Sequence, residues 1–169
     1  MKEIRSWLLV LLAGAGLAVA GEQAVLTLDL DDIDVPAAHA SSGQPDAAEL
    51  ETLAEKGYVA VIDLRGPDED RGFDEVAAAE AAGLGYTPLP IATADAINVE
   101  NARKLGDLIA SFDGPVVVHC GSGNRVGALV ALLEADRGAS TEEALEAGRA
   151  AGLTRLEGLV RKRLEGDAD

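Results

Sequence analysis

The stretch from Pro115 to Gly127 reads PVVVHCGSGNRVG, and the fold follows from it. After the proline it carries three valines, a β-branched apolar run that is typical of a strand buried on both faces. A glycine-rich segment comes next, and beyond it apolar residues recur at helical spacing as far as Leu133. The stretch therefore predicts a buried strand, a tight loop and a helix, in that order.

The loop between this strand and this helix runs from Cys120, the single cysteine of the chain, to Arg125. Backbone N–H groups of such a loop can converge on one point, and the helix N-terminus adds positive potential there. The Arg125 guanidinium offers a planar fork that suits two oxygens of a phosphate or sulfate. A thiolate at the base of this cradle is stabilised, so Cys120 is predicted to be nucleophilic. The remaining predicted phosphate-binding residues are Gly121, Ser122, Gly123 and Asn124.

The composition restricts the partners of the protein. The chain has 169 residues, enough for one ordinary domain, and a formal net charge of −16. Such a surface should repel nucleic acid and anionic membranes, so neither is predicted as a partner. One cysteine excludes an intramolecular disulfide. No cofactor or metal is predicted, because the aspartate run at 29–34 lacks the spacing of an EF-hand calcium loop and is expected to be a solvated edge. The oligomeric state is not readable from the sequence.

The first 20 residues are predicted to be a signal peptide. Lys2 and Arg5 form a positive n-region, Trp7–Leu17 is an apolar h-region, and Ala18–Ala20 fits a small-residue cleavage site. The apolar run is short for a membrane-spanning helix, which needs about 20 residues, so cleavage is favoured over an uncleaved anchor. We therefore expect a periplasmic or secreted protein without a stable membrane anchor.

The rest of the chain divides into an N-terminal extension, 21–32, and one folded domain, 33–166. Residues 22–43 are expected to be loosely structured, with His39 in an exposed loop, but Val25–Leu30 alternates and, with Ile33 and Val35, could add a first strand. Beyond them, strands are predicted over Tyr58–Leu64 and Tyr86–Leu89. Helices are predicted from Asp46 to Gly57, over 73–82, from Asn98 to Phe112, over 125–136, from Ser140 to Ala151 and from Thr154 to Leu164. This alternation predicts an α/β fold, with a central, mainly parallel sheet of about four strands flanked by helices.

Three polar residues come just after predicted strands: Arg65, Asp95 and Cys120. Ligands of parallel sheets bind at the carboxyl ends of the strands, so these residues should share one mouth. Arg65 is expected to support the site, more readily as an ion-pair partner than as a substrate contact.

The loop from Cys120 to Arg125 resembles the phosphate-binding loop of the cysteine-dependent protein tyrosine and dual-specificity phosphatases, shortened by one residue. The shorter spacing is similar to two groups, the rhodanese sulfurtransferases and the phosphatase-like domain of the beta-lactamase-hydrolase-like proteins, often called DUF442. Ser42–Pro45 (SGQP), Val61–Arg65 (VIDLR) and the helical tail resemble the second group, whereas a rhodanese would need a further strand there. The resemblance covers 33–164 and implies a three-layer, dual-specificity-phosphatase-like fold.

The resemblance also implies an activity. The chain would be an exported phosphatase that hydrolyses phosphate monoesters, of a small molecule or a protein, through a phosphocysteine on Cys120. Asp95 is the predicted general acid, on a loop that the resemblance implies to be mobile, and Asp68 and Glu69 are rival acids. His119 matches the His-Cys pair of phosphatases, where the histidine orders the loop.

Two residues depart from the family pattern. Val126 follows the arginine where phosphatases and many relatives carry Ser or Thr, whose hydroxyl steadies the thiolate and helps it leave. Asp63 replaces the usual Asn. Two alternatives therefore stay open: a rhodanese-like sulfurtransferase or persulfide carrier using Cys120, and a non-catalytic anion-binding module.

Overall fold

The computed structural model describes residues 26–28 and 39–166. Within these ranges no helix combines the length and the apolar character that crossing a membrane requires. The predicted signal peptide lies outside them, so export stays a prediction. The five strands are β1 (Leu26–Leu28), β2 (His39–Ser42), β3 (Ala60–Asp63), β4 (Gly85–Pro88) and β5 (Val116–His119). They form one sheet in the order β1-β2-β5-β3-β4, in which β1 is antiparallel to β2 and the other pairs are parallel.

Within residues 39–166, six α-helices and one 3₁₀ turn connect and cover the strands. They are α1 (Ala47–Glu55), α2 (Glu75–Ala81), the 3₁₀ turn (Ala94–Ala96), α3 (Val99–Ala110), α4 (Asn124–Asp136), α5 (Thr141–Ala150) and α6 (Glu157–Glu165). The predicted capping signals are confirmed, because Asp46 and Ser140 each form a capping box with a glutamate three residues on. Asn98 caps α3 by accepting the Asn101 amide.

The helices form two layers, one on each face of the sheet. Val61 and Val117 pack with Leu50 of α1 and with α2, whereas their strand neighbours Ile62 and Val118 join the core beneath α3 to α6. Successive strand residues point to opposite faces, so a strand covered on both sides is buried throughout. Strands β3 and β5 are buried at every position. The predicted α/β class, a mainly parallel sheet flanked by helices, is confirmed.

Strand β2 is the element that the sequence pattern missed. The expectation that His39 lies in a loop is wrong, since His39–Ser42 pairs with β1 on one side and with β5 on the other. The segment HASS has no apolar alternation, so pairing with β5, rather than local composition, makes it a strand. With β2 the sheet has five strands instead of four.

Helices α4 and α5 cross at a distance that only glycine allows. A Cβ added to Gly127 of α4 would lie 2.2 Å from the Leu153 amide nitrogen and 2.4 Å from the Gly148 carbonyl oxygen. A Cβ on Gly148 would meet Ala131 Cβ and the Gly127 carbonyl oxygen, each at 2.8 Å. The helical tail is therefore held against α4, the helix that begins at the Cys120 loop.

Replacing Gly127 by Ala should lower the free energy of unfolding by about 3 kcal/mol, because backbone atoms would have to move apart. Gly158→Ala on α6, where a Cβ meets nothing within 4 Å, is the matched control. Gly158→Ala should raise the free energy of unfolding by about 0.5 kcal/mol, because alanine lowers the conformational entropy of the unfolded chain. Urea unfolding followed by circular dichroism measures both, and equal effects would contradict the close crossing.

Candidate active site

The loop after β5 begins at Cys120, whose side chain is 1 % exposed. The Cys120 amide donates to the Ser42 carbonyl at 3.4 Å, which holds the start of the loop against the SGQP segment. Gly123 has φ +75° and starts α4, a backbone conformation that favours glycine. Among the described residues, the amides of Gly121 to Arg125 donate to no other protein group. They are therefore available to an anion at the helix N-terminus.

The tail supports this loop from behind. Asn124 Oδ1 accepts the Thr154 amide at 2.8 Å and the Leu156 amide at 3.4 Å. Gly152 packs closely on Gly123, since a Cβ added to Gly152 would lie 3.1 Å from the Gly123 carbonyl oxygen. The Asn124 side chain is thus turned to the tail, and its backbone amide is left for an anion.

Arg125 lies between the loop and Glu69. Its Nη1 contacts Glu69 Oε1 at 2.5 Å and its Nη2 contacts Oε2 at 2.8 Å, a bidentate pair. Nη1 also donates to the Ile91 carbonyl at 3.2 Å and, at 3.4 Å, to the Leu64 carbonyl. Among the described residues Nε has no acceptor, and Nη2 lies 3.8 Å from where a Cβ on Gly121 would be. The edge formed by Nε and Nη2 therefore remains free beside the loop.

The ion pair keeps both partners charged. Hydrogen bonding from Arg125 lowers the pKa of Glu69 to about 2 despite partial burial, and the Gly66 amide and Arg65 add to the effect. The pKa of Arg125 is raised, chiefly by hydrogen bonding to Glu69, with a further contribution from Cys120. A carboxylate held ionised at neutral pH has no proton to give, so in this arrangement Glu69 positions Arg125 and is not a general acid.

Arg65 is buried and also contacts the Glu69 carboxylate. Its Nε lies 3.4 Å from Glu69 Oε2, and its Nη2 donates to the Asp70 carbonyl. Both contacts are within the protein, which agrees with the interpretation of Arg65 as an ion-pair partner. Arg65, Glu69 and Arg125 thus form a row of charges at the carboxyl ends of β3 and β5.

Asp95 lies on the loop that follows β4. The loop starts at Ile91, whose carbonyl binds Arg125, so it borders the mouth that the sequence predicted. Asp95 itself is fully exposed in the 3₁₀ turn, and its carboxylate lies 3.9 Å from Arg163 of α6. Among the described residues it makes no ion pair or hydrogen bond with Arg125 or Cys120. The structure places Asp95 near the site without bringing it into contact.

A buried polar cluster lies beneath the loop. His119 Nε2 is 2.8 Å from Glu75 Oε1 and 3.7 Å from Asp63 Oδ1, and all three side chains are fully buried. The 2.8 Å contact is within hydrogen-bonding distance but lacks the alignment of a directed hydrogen bond. Arg71 and Tyr86 both donate to Asp63 Oδ2. His119, which precedes Cys120, is therefore in contact with α2 and β3, and Arg71 and Tyr86 in turn hold Asp63.

Asp63 carries a full charge within this cluster. Burial alone would raise the pKa of Asp63, but hydrogen bonds from Tyr86 and the Arg65 amide, with the neighbouring His119, outweigh it and lower the pKa. Burial and the bond to Asp63 raise the pKa of Tyr86. The sequence analysis singled out neither Tyr86 nor Arg71 as a site residue. The one signal in the sequence that pointed to such partners was Asp63 in place of the usual Asn, because a buried charge needs a partner.

The same cluster offers ligand atoms from Asp63, Glu75 and His119 within 4.8 Å of one another. The Arg71 guanidinium already neutralises Asp63, at 2.6 Å, and lies 3.8 Å from Glu75. Both Asp63 oxygens also accept hydrogen bonds. The positive charge that a metal ion would bring is thus supplied by the protein, and the donor set does not fit a metal site.

Comparison with known proteins agrees with this geometry. A family model described as "DSP-PTPase phosphatase fused to NAD+ Kinase" matches residues 25–159. The chain belongs to this family. The similarity to beta-lactamase-hydrolase-like proteins is confirmed as well: such a protein from Xylella fastidiosa strain Temecula1 is 34 % identical over 119 residues, which cover 68 % of this chain and 27 % of that protein. The chain spans about a quarter of the length of the curated relatives that head this comparison.

Solved structures share the fold. A suspected phosphatase from Neisseria meningitidis matches with a TM-score of 0.65 and 27 % identity, over 77 % of this chain and 93 % of that one. A suspected phosphatase of the DUF442 group from Shewanella putrefaciens matches with a TM-score of 0.56 and 18 % identity, over 78 % and 86 %. Family and fold place the chain among the hydrolases of phosphoric monoesters, of the protein tyrosine and dual-specificity phosphatase type.

The Glu69–Arg125 pair predicts a pH-dependent stability. The pKa of Glu69 lies below its ordinary value of 4.5 in the folded protein, so the ionised form stabilises the fold above that value. This contribution is lost as the pH falls from 4.5 towards about 2. Glu69→Gln should cost about 1 kcal/mol at pH 7, since Glu69 is partly exposed and solvent screens the pair.

Urea unfolding of wild type and variant at pH 7 and at pH 3 measures the effect, and the difference between them should shrink at pH 3. The control is Glu51→Gln, an exposed residue that makes no ion pair with the described part of the chain. A Glu69→Gln penalty that is the same at both pH values would contradict the charge pairing.

Proposed function

We propose that the chain is a cysteine-dependent phosphatase that hydrolyses phosphate monoesters through a phosphocysteine intermediate on Cys120. The observation that carries the proposal is the free Nε and Nη2 edge of Arg125, fixed by Glu69 beside a loop of unpaired backbone amides. These donors, with Cys120 at the base of the loop, suit the equatorial oxygens of a phosphoryl group.

The first step transfers the phosphoryl group to the protein. The Cys120 thiolate attacks phosphorus, a sulfur–phosphorus bond forms, and the bond from phosphorus to the ester oxygen breaks. Loop amides and Arg125 hold the three non-bridging oxygens as their charge grows. Asp95 is the proposed general acid, which delivers its proton to the leaving oxygen so that an alcohol or phenol departs.

The second step returns the protein to its starting state. Water attacks the phosphocysteine, the new oxygen–phosphorus bond replaces the bond to sulfur, and the Asp95 carboxylate takes up the proton from water. Cys120 leaves as a thiolate beside Arg125. Val126, buried directly after Arg125, has no hydroxyl to steady that thiolate. The second step is therefore proposed to limit the rate.

The direct test is hydrolysis of p-nitrophenyl phosphate by the purified protein. Cys120→Ser should reduce turnover by at least about 100-fold, because the nucleophile is lost. Ser111→Ala, an exposed change at the end of α3, is the control that should keep full activity. Wild-type hydrolysis no faster than that of Cys120→Ser would refute the proposal. In that case, a mass gain of one sulfur on Cys120 after thiosulfate treatment would point to sulfur transfer.

Val126→Thr tests which step limits the rate. Threonine keeps the β-branched shape and adds a hydroxyl, so kcat should rise about tenfold and the fraction of enzyme trapped as phosphocysteine should fall. Burying the hydroxyl should cost about 1–2 kcal/mol of stability. Val130→Thr, one turn along α4 and equally buried, should show the stability loss without the rate gain. Rapid-quench mass spectrometry measures the intermediate, and an unchanged phosphocysteine level would contradict the assignment.

A further inference from the structure

The acid loop, defined here as residues 91–97, is fastened at three consecutive backbone carbonyls. Ala94 accepts from Arg163 Nη2 at 3.0 Å, Asp95 from Asn98 Nδ2 at 2.8 Å, and Ala96 from Asn101 Nδ2 at 2.8 Å. Exposed loop carbonyls are ordinarily left to water, so three side-chain donors in a row are a built support. The loop therefore has three side-chain supports that need no substrate.

Arg163 is the one remote member of this support. Asn98 and Asn101 lie at the start of α3, directly after the loop, whereas Arg163 comes from α6, 69 residues beyond Ala94. Its side chain is 27 % exposed, and its Nε is buried with no partner in the described part of the chain. The guanidinium is thus partly buried between the two elements, with its Nε shielded from solvent.

The base of this contact is rigid. Helix α6 buries Val160 completely and packs Leu156, Leu159 and Leu164 on the main core. Because α6 is anchored in the core, the Arg163 guanidinium connects the acid loop to the body of the domain. The distance of 3.9 Å from Arg163 to Asp95 Oδ1 is longer than a hydrogen bond, so the backbone contact at Ala94 is the stronger one.

We infer that Arg163 is a positioning residue of the phosphatase reaction, which keeps the acid loop preset so that Asp95 can protonate the leaving group. The inference rests on the proposed function. A loop ordered during folding loses no conformational entropy when substrate binds. Arg163 acts through the loop and touches neither the nucleophile loop nor Arg125 in the described contacts.

The first experiment measures the tether without any substrate. Amide hydrogen exchange of residues 94–98 reports on the loop, because the amides of Ala96, Ile97 and Asn98 are hydrogen-bonded within it. Arg163→Gln should speed their exchange by about tenfold. Arg161→Gln, on the same helix but paired with Glu142, is the matched control and should leave it unchanged. Unchanged exchange in Arg163→Gln would overturn the inference.

The second experiment measures the consequence for proton transfer. With phenyl phosphate, whose phenol is a poor leaving group that needs an acid, Arg163→Gln should lower kcat/KM about tenfold, and Arg163→Lys should recover part of the loss. The ratio kcat/KM reports the transfer of the phosphoryl group to Cys120, whereas kcat is set by the second step. With p-nitrophenyl phosphate, whose leaving group needs little protonation, kcat/KM should stay near the wild-type value. In the Asp95→Asn background the change should have no further effect, because both substitutions act on one step.

The outcomes separate the two proposals. If exchange rises in Arg163→Gln but kcat/KM for phenyl phosphate does not fall, Arg163 is a structural tether and the positioning role is refuted. If the wild type hydrolyses neither ester, the phosphatase proposal fails, and hydrogen exchange still decides whether Arg163 holds the loop. An additional loss in the Asp95→Asn background would show that Arg163 acts elsewhere.

Discussion

The backbone contact between α4 and α5 is the constraint on which the rest of the structure depends. At Gly127 there is no room for a methyl group between α4 and the turn after α5. This crossing places the turn so that the amides of Thr154 and Leu156 reach Asn124. The loop that carries Cys120 is thus shaped from behind, and its front is left with unpaired amides. Helix packing and anion binding are two consequences of one close approach.

Arg125 then connects the loop to the rest of the sheet. Its Nη1 and Nη2 bind the Glu69 carboxylate, and Nη1 also donates to the carbonyls of Leu64 and Ile91. The edge formed by Nε and Nη2 is left free. A single side chain therefore joins the segments that follow β3, β4 and β5. In a strongly acidic protein a fixed arginine of this kind supplies the positive charge that a basic patch would otherwise provide.

Much of the fold could be predicted because its signals are local. Asp46 with Glu49, and Ser140 with Glu143, are complete helix caps within four residues of chain, and both form as expected. The valines of β5 are apolar enough to identify a strand covered on both faces. Strand β2 escaped prediction because its polar residues become a strand only by pairing between β1 and β5.

The part of the candidate site that lies within one short segment of the chain was predictable from the sequence. Cys120 and Arg125 belong to one loop and one helix start, so their spacing alone indicated an anion cradle, and the family comparison agrees. The roles of Glu69, Glu75 and Arg163 depend on partners 44 to 69 residues away in the chain, counted here from the Arg125, His119 and Ala94 contacts. No spacing rule relates such positions.

By itself, then, the sequence determined the order of the elements, the caps and the reactive loop, because each is set by residues within one or two turns of each other. Only the tertiary structure decided that Glu69 is an ionised partner of Arg125 and that the acid loop is fastened by α6. It also decided that His119 faces two buried carboxylates. The physical reason is that the protonation and the position of a charged side chain follow from the charges that folding brings beside it.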